Sequence, residues 1–175
     1  MVIRVNSWLR KKPMKLISPL ILLLIVATLA VAKMPTTQLP GFAHWTAKEL
    51  QGYEPRLRKE VGGPNKTSSV KLADYGSSNV AISHREAPGI PEVHDHMDDY
   101  FVVESGSAEL TIGGEVVNPR KESDPRETRG DGIKGGEKRT LLPGDVVHIP
   151  HRMPHQLIVP NGKKFTYFVI KVKAE

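Results

Sequence analysis

The sequence predicts an all-β protein built as a single antiparallel barrel, preceded by an irregular, partly helical extension. Three observations predict this class. From about residue 68 onward, β-type segments recur every eight to twelve positions or so between turn residues, which is the spacing of a sandwich or barrel. Two glycine-bearing pairs, Gly113-Gly114 and Asn161-Gly162, sit between apolar runs where tight reversals are needed. At 175 residues, with a quarter of them charged and no low-complexity tract, the chain has room for one domain with a full core.

Residues 1–32 read as a cleaved export signal. Arg4, Arg10, Lys11, Lys12 and Lys15 form a basic front without an acid, an uncharged apolar run follows over 16–32, and Ala30-Val31-Ala32 offers a small-residue cleavage site near Ala32. Pro19 shortens the run below the roughly 20 apolar residues of a membrane span. An uncleaved membrane anchor is the second reading, and in either case the domain is periplasmic or extracellular.

Most of the formal charge of +6 belongs to that front, because the remainder carries 20 Lys+Arg against 19 Asp+Glu. Such a balance leaves no nucleic-acid footprint, so no nucleic-acid partner is expected. With no cysteine the chain has no disulfide, thiol nucleophile or thiolate cluster. Any metal site must use His, Asp, Glu and Tyr, which suits one divalent transition metal: iron, manganese, nickel, copper or zinc.

Residues 33–67 form the extension. One helix is expected to start at Thr46, with Glu49 completing a capping box and Pro55 limiting its length. The barrel occupies 68–175, with strands near 69–72, 79–84, 92–96, 100–104, 108–112, 139–142, 145–149, 155–159 and 165–172. The charged, Gly- and Pro-rich stretch 118–138 lacks periodicity and reads as a long surface loop, with protein interaction as one use for it. The Arg129-Gly130-Asp131 triplet within it is a chance combination of common loop residues.

The chemistry centres on histidines. His94 and His96 are two apart on a predicted strand, so alternation puts both imidazoles on one face, where they can share an ion. His155 opens a much later strand and completes a set of nitrogen ligands if the sheet closes on itself. His84 is placed to line the mouth of the site, His148 to orient a ligand from behind or to face the surface, and His151 in a turn.

The segment from Gly89 through His94-Asp95-His96 and Asp99 to Gly106 resembles the first motif of the cupin family: a glycine, a His-x-His pair, an acidic residue and a closing glycine. Pro143-Gly144-Asp145, Ile149-Pro150 and His155 resemble the second motif. The likeness spans roughly residues 68 to 173 and implies a jelly-roll barrel. It makes His94, His96 and His155 metal ligands, with Asp99 in the acidic position counted back from Gly106. Only Met97 and Asp98 separate His96 from Asp99, where the family has three or four residues. Asp98 shares the histidines' parity and competes for the role, a bare three-histidine site is a further outcome, and Tyr100 is a candidate catalytic acid or outer hydrogen-bond donor. Arg152 stands where the family has a glycine that permits positive φ, and Val159 where it has an asparagine.

The resemblance implies a metal-dependent enzyme of dioxygenase, isomerase or lyase type acting on a small oxygenated molecule. The alternative is a noncatalytic module that binds or senses a small ligand on the same scaffold. Cupin-like domains often pair through edge strands, so a homodimer is an expected assembly.

Overall fold

The computed structural model describes residues 39–160 and 162–174; the export segment anticipated at 1–32 lies outside them. Among the described residues no helix is long and apolar enough to cross a membrane.

One helix, α1 (Ala47–Lys59), precedes the strands β1 (Thr67–Asp74), β2 (Ser78–Arg85), β3 (Glu92–His94), β4 (Met97–Gly106), β5 (Ala108–Ile112) and β6 (Glu115–Val117). After these come β7 (Arg120–Lys121), β8 (Glu127–Arg129), β9 (Gly132–Lys134), β10 (Glu137–Leu141), β11 (Val146–Ile149), β12 (His155–Ile158) and β13 (Phe165–Lys173). One sheet runs β1-β2-β13-β4-β11 and the other β10-β5-β12-β3-β8-β7, with β6 and β9 as a separate ribbon. All pairings between these strands are antiparallel, as the sequence predicts.

The core lies between the two sheets. Phe101, Val103, Phe165, Tyr167 and Val169 project from the first and meet Ala108, Leu110, Leu141 and Leu157 from the second. Along β4 the alternation is regular: Met97, Asp99, Phe101 and Val103 are buried, and the residues between them are half-buried. That alternation aims Asp99 into the barrel.

Helix α1 starts as expected. Thr46 accepts from the Glu49 backbone N–H at 3.2 Å, while the Glu49 carboxylate accepts from the Thr46 backbone N–H at 2.8 Å. Pro55, however, sits inside the helix rather than ending it. Tertiary anchors outweigh the hydrogen bond that proline cannot donate. Leu57 is fully buried, its carbonyl accepts from Ser68 Oγ at 2.7 Å, and Glu54 accepts from Ser105 Oγ at 2.6 Å.

Three other expectations are corrected. The stretch 118–138 is not one surface loop, since it carries β7, β8 and β9, and β8 adds to the second sheet beside β3. Its charges escaped a periodicity search because they are matched by charges on β3, with Glu92 opposite Arg129 and His94 opposite Glu127. The two glycine pairs do not close hairpins. Gly113 and Gly114 both have positive φ, but β5 pairs with β10 and β12 while β6 pairs with β9. Likewise β12 and β13 belong to different sheets, so the chain around Gly162 crosses between layers; Asn161 itself lies outside the described residues.

Arg152 takes the conformation reserved for glycine in the motif, with φ of 61°, and its backbone N–H donates to the His94 carbonyl at 2.7 Å. This bond ties the turn before β12 to the end of β3. A non-glycine residue in the left-handed region costs on the order of 1 kcal/mol, and a β-branched one more. Arg152→Gly is therefore expected to leave thermal stability unchanged or raise it, and Arg152→Val to lower it. Equal melting temperatures for the two variants would show that the turn is not held in this conformation.

Candidate metal centre

Glu92 and His94 are two apart on β3 and point to the same face, and His155 stands opposite Glu92 in the β12 ladder. One donor atom from each of these three lies within 4.8 Å of the others. Asp99 reaches the group from β4 in the facing sheet: its Oδ2 is 3.2 Å from His94 Nε2 and 3.7 Å from His155 Nε2. Glu92 Oε2 lies 3.5 Å from His94 Nε2 and 4.0 Å from His155 Nε2. Ligands about 2.1 Å from a tetrahedral metal stand about 3.4 Å apart, close to these four carboxylate-to-imidazole separations; the mutual 4.8 Å cluster itself is Glu92, His94 and His155, with Asp99 beside its two imidazoles.

The two imidazoles are oriented from behind. His94 Nδ1 donates to the Glu127 carboxylate in a short hydrogen bond, and His155 Nδ1 donates to the Met153 carbonyl at 3.0 Å. These contacts place the ring protons on Nδ1 and leave both Nε2 lone pairs facing the carboxylates, the pattern that prepares histidine for a metal. His155 Nε2 is buried without a hydrogen-bond partner. An orphaned acceptor beside two carboxylates is costly unless a cation is held there.

Charge is closely matched around this point. The Glu92, Asp99 and Glu127 carboxylates face the cations Arg85, Arg129 and Lys171. Lys171, inward-facing on β13 directly opposite Asp99, sits among the donors themselves. Its Nζ is 2.7 and 2.8 Å from the two Asp99 oxygens and 2.8 Å from His94 Nε2.

Burial works to raise the Asp99 pKa, but the hydrogen bond to His94 and the Lys171 charge hold it below its ordinary value. Burial opposes ionisation of Glu92 too, and is outweighed by His94 and by Arg129, His155 and Arg85. Burial lowers the His155 pKa, keeping that ring neutral. For His94, burial is overcome by hydrogen bonding to Asp99 and Glu92, which raises its pKa to about 9. His94 Nε2 is contested: protonated it donates to Asp99 and Glu92, and deprotonated, the form a metal would need, it accepts from Lys171 Nζ at 2.8 Å. The same two carboxylates that raise the His94 pKa face the point where a metal would sit.

The residues singled out from the sequence divide. His94, Asp99 and His155 converge, whereas His96 and Tyr100 do not join them. Strand β3 ends at His94, and Asp95 and His96 form a bend, so the alternation that would have aligned His96 with His94 is interrupted. The His96 ring lies instead near Asp95 and Asp124, lowering the pKa of each after the stronger effects of Lys121 and Arg126. The bend also resets the phase of β4. Asp99 turns inward, and Asp98 turns out to accept from the His151 backbone at 2.7 Å and its ring at 2.9 Å. Tyr100 alternates with Asp99 along β4 and stacks on His148 with ring centroids 4.5 Å apart. His84 is buried away from the site, bonded to Thr166 Oγ1 at 2.8 Å.

Sequence reasoning missed Glu92, Glu127 and Lys171. Glu92 carried a signal: counting His94 as the second member of the pair leaves Asp95, His96, Met97 and Asp98 before Asp99, which restores the motif's spacing to its acidic position while shortening that from Gly89. Above the cluster lies a cavity of about 290 Å³, whose lining includes Ser69, Ser83, Arg85, Tyr167 and Lys171, with Glu92 and Asp99 at its floor.

Neither a family model nor a curated protein matches this sequence. Solved structures do. A Bacillus halodurans protein superposes with a TM-score of 0.51 at 13% identity, covering 80% of this chain and 86% of its own. A cupin protein from Bacteroides fragilis gives 0.43 at 19% identity over 65% of this chain and 80% of its own. A cupin superfamily protein from Desulfitobacterium hafniense gives 0.44 at 16% over 63% and 81%.

The depressed carboxyl pKa values carry a pH consequence. A group whose folded pKa lies below its unfolded value stabilises the fold above the unfolded value and loses that contribution as pH falls. For Glu92 and Asp99 the ordinary values are 4.5 and 3.8. The metal-stripped protein should lose stability steeply as pH falls below about 4.5, and Glu92→Gln should flatten that slope. Urea unfolding from pH 6 to pH 3 measures it, and equal slopes for the two proteins would show that Glu92 is not held ionised.

Proposed function

We propose that this chain, whose barrel has the cupin fold, is an exported metal-dependent enzyme. It holds one divalent transition metal between Glu92, His94, Asp99 and His155 and acts on a small oxygenated molecule in the cavity above. One observation carries the metal reading: His155 Nε2 is buried, unpartnered and turned toward two ionised carboxylates, with its ring fixed by the Met153 carbonyl. The mixed nitrogen and oxygen donors suit iron, manganese or zinc better than a thiophilic ion.

When bound, such a metal supplies Lewis-acid polarisation or oxygen activation. The chain's own residues supply the rest. Glu127 and the Met153 carbonyl fix the imidazoles, and the Arg129 guanidinium lies 3.3 Å from Glu92 as an ion pair. Arg85 reaches the cavity with its Nε donating to Tyr167 Oη at 3.2 Å, and Ser69 and Ser83 present hydroxyls 2.9 Å apart. These groups orient an oxygen-rich ligand over the floor. Export is supported by the basic front, apolar run and small-residue site of residues 1–32.

A second reading, a noncatalytic module for small ligands, is favoured by the presence of Lys171 among the donors. The two readings separate by turnover. Metal-loaded protein should convert a member of a panel of diketones, thiols, phenols and hydroxy acids; binding without conversion of any member would support the module.

Substitutions test the metal reading itself. His155→Ala should weaken metal binding by at least about 10- to 100-fold, the scale on which even supporting groups act. His96→Ala should leave it within about twofold. Chelator competition reads both, and the reverse order would return the site to the two adjacent histidines.

A further inference from the structure

The group at the centre of the donor set is Lys171. Its ammonium takes both Asp99 oxygens and His94 Nε2, so two of the four donors are already engaged by a cation that belongs to the chain. The three carboxylates around it are balanced by three cations, Lys171 among them. A dication added to this set overlaps the ammonium's hydrogen bonds and leaves two positive charges in excess. Moving Lys171 away removes the overlap and reduces the local excess. Its side chain is 28% exposed and its long stem borders the cavity, so a route away from Asp99 exists on the solvent side. Arg85, Ser69 and Ser83 share that cavity's lining, and among the described residues its carboxylates are Glu92 and Asp99.

Resting on the metal reading above, we propose that Lys171 is the resident counter-ion of the Glu92, His94, Asp99 and His155 site: a divalent metal binds by displacing its ammonium, which then pairs with an anionic group of the ligand. Metal and anion are thereby linked. The metal frees the ammonium, and the anion both occupies it and offsets the excess charge, so each binds more tightly in the presence of the other. The substrate class that follows is a small carboxylate or another oxyanion of a size to fit about 290 Å³.

The test uses zinc and acetate. Lys171→Met should bind zinc about 10- to 100-fold more tightly than the wild type by chelator competition, and acetate should tighten zinc binding in the wild type but not in the variant. Equal zinc affinities, or equal acetate effects, overturn the proposal while leaving the metal reading intact. Absence of zinc binding by both proteins overturns both. A second measurement needs no variant: reductive methylation of Lys171, read by peptide mass, should be slow in the stripped wild type and several-fold faster with zinc. An unchanged rate at zinc saturation contradicts displacement.

Discussion

Three carboxylates held together near one end of a barrel require positive charge beside them, and the local structure follows from that requirement. A pair of unit charges about 4 Å apart in surroundings of effective dielectric 20 interacts by about 4 kcal/mol, so Glu92, Asp99 and Glu127 would repel one another strongly if left alone. Arg129 joins Glu92 to Glu127, Arg85 approaches Glu92, and Lys171 covers Asp99. These groups come from five strands of both sheets, so the network also fastens the layers together where the apolar core gives out. A metal at this point would compete with Lys171 for Asp99 and His94.

The break between β3 and β4 decides which residues take part. A continuous strand through residue 100 would keep His94, His96 and Asp98 on one face. The bend at Asp95 and His96 ends that phase, and β4 restarts with Met97, Asp99 and Phe101 inward. The same bend lets the second sheet deliver Glu92 and His94 while the first delivers Asp99. The turn at Arg152 fastens to the end of β3 through the His94 carbonyl, so the loop ahead of His155 is placed against the other imidazole.

Much of the barrel was legible in the sequence. Its nine anticipated strands correspond to β1 to β5 and β10 to β13, because most have β-favouring residues between turn residues; the charged β10 and the short β3 are the exceptions to an apolar run. The capping box at Thr46 was equally readable, since it depends on local hydrogen bonds alone. Elements held by charge pairing were not. Strands β7 and β8 have no apolar alternation, and their existence depends on partners distant in sequence. Two of the anticipated ligands outside Asp99 stand in the cluster, His94 and His155, and both follow from motif spacing and strand position. His96 was misplaced because strand parity was extended across a bend that no single residue announces. Lys171 was readable in one respect: a lysine in phase with buried Tyr167 and Val169 conflicts with an apolar core, and such conflicts mark functional positions.

X-ray absorption on the metal-loaded full chain tests the central claim most directly, because it counts the imidazoles bound to the ion. Two histidine nitrogens, with oxygen atoms filling the remaining positions, are the result that Glu92, His94, Asp99 and His155 predict. A spectrum requiring three imidazoles would restore His96 to the site and contradict the geometry described for β3 and β4.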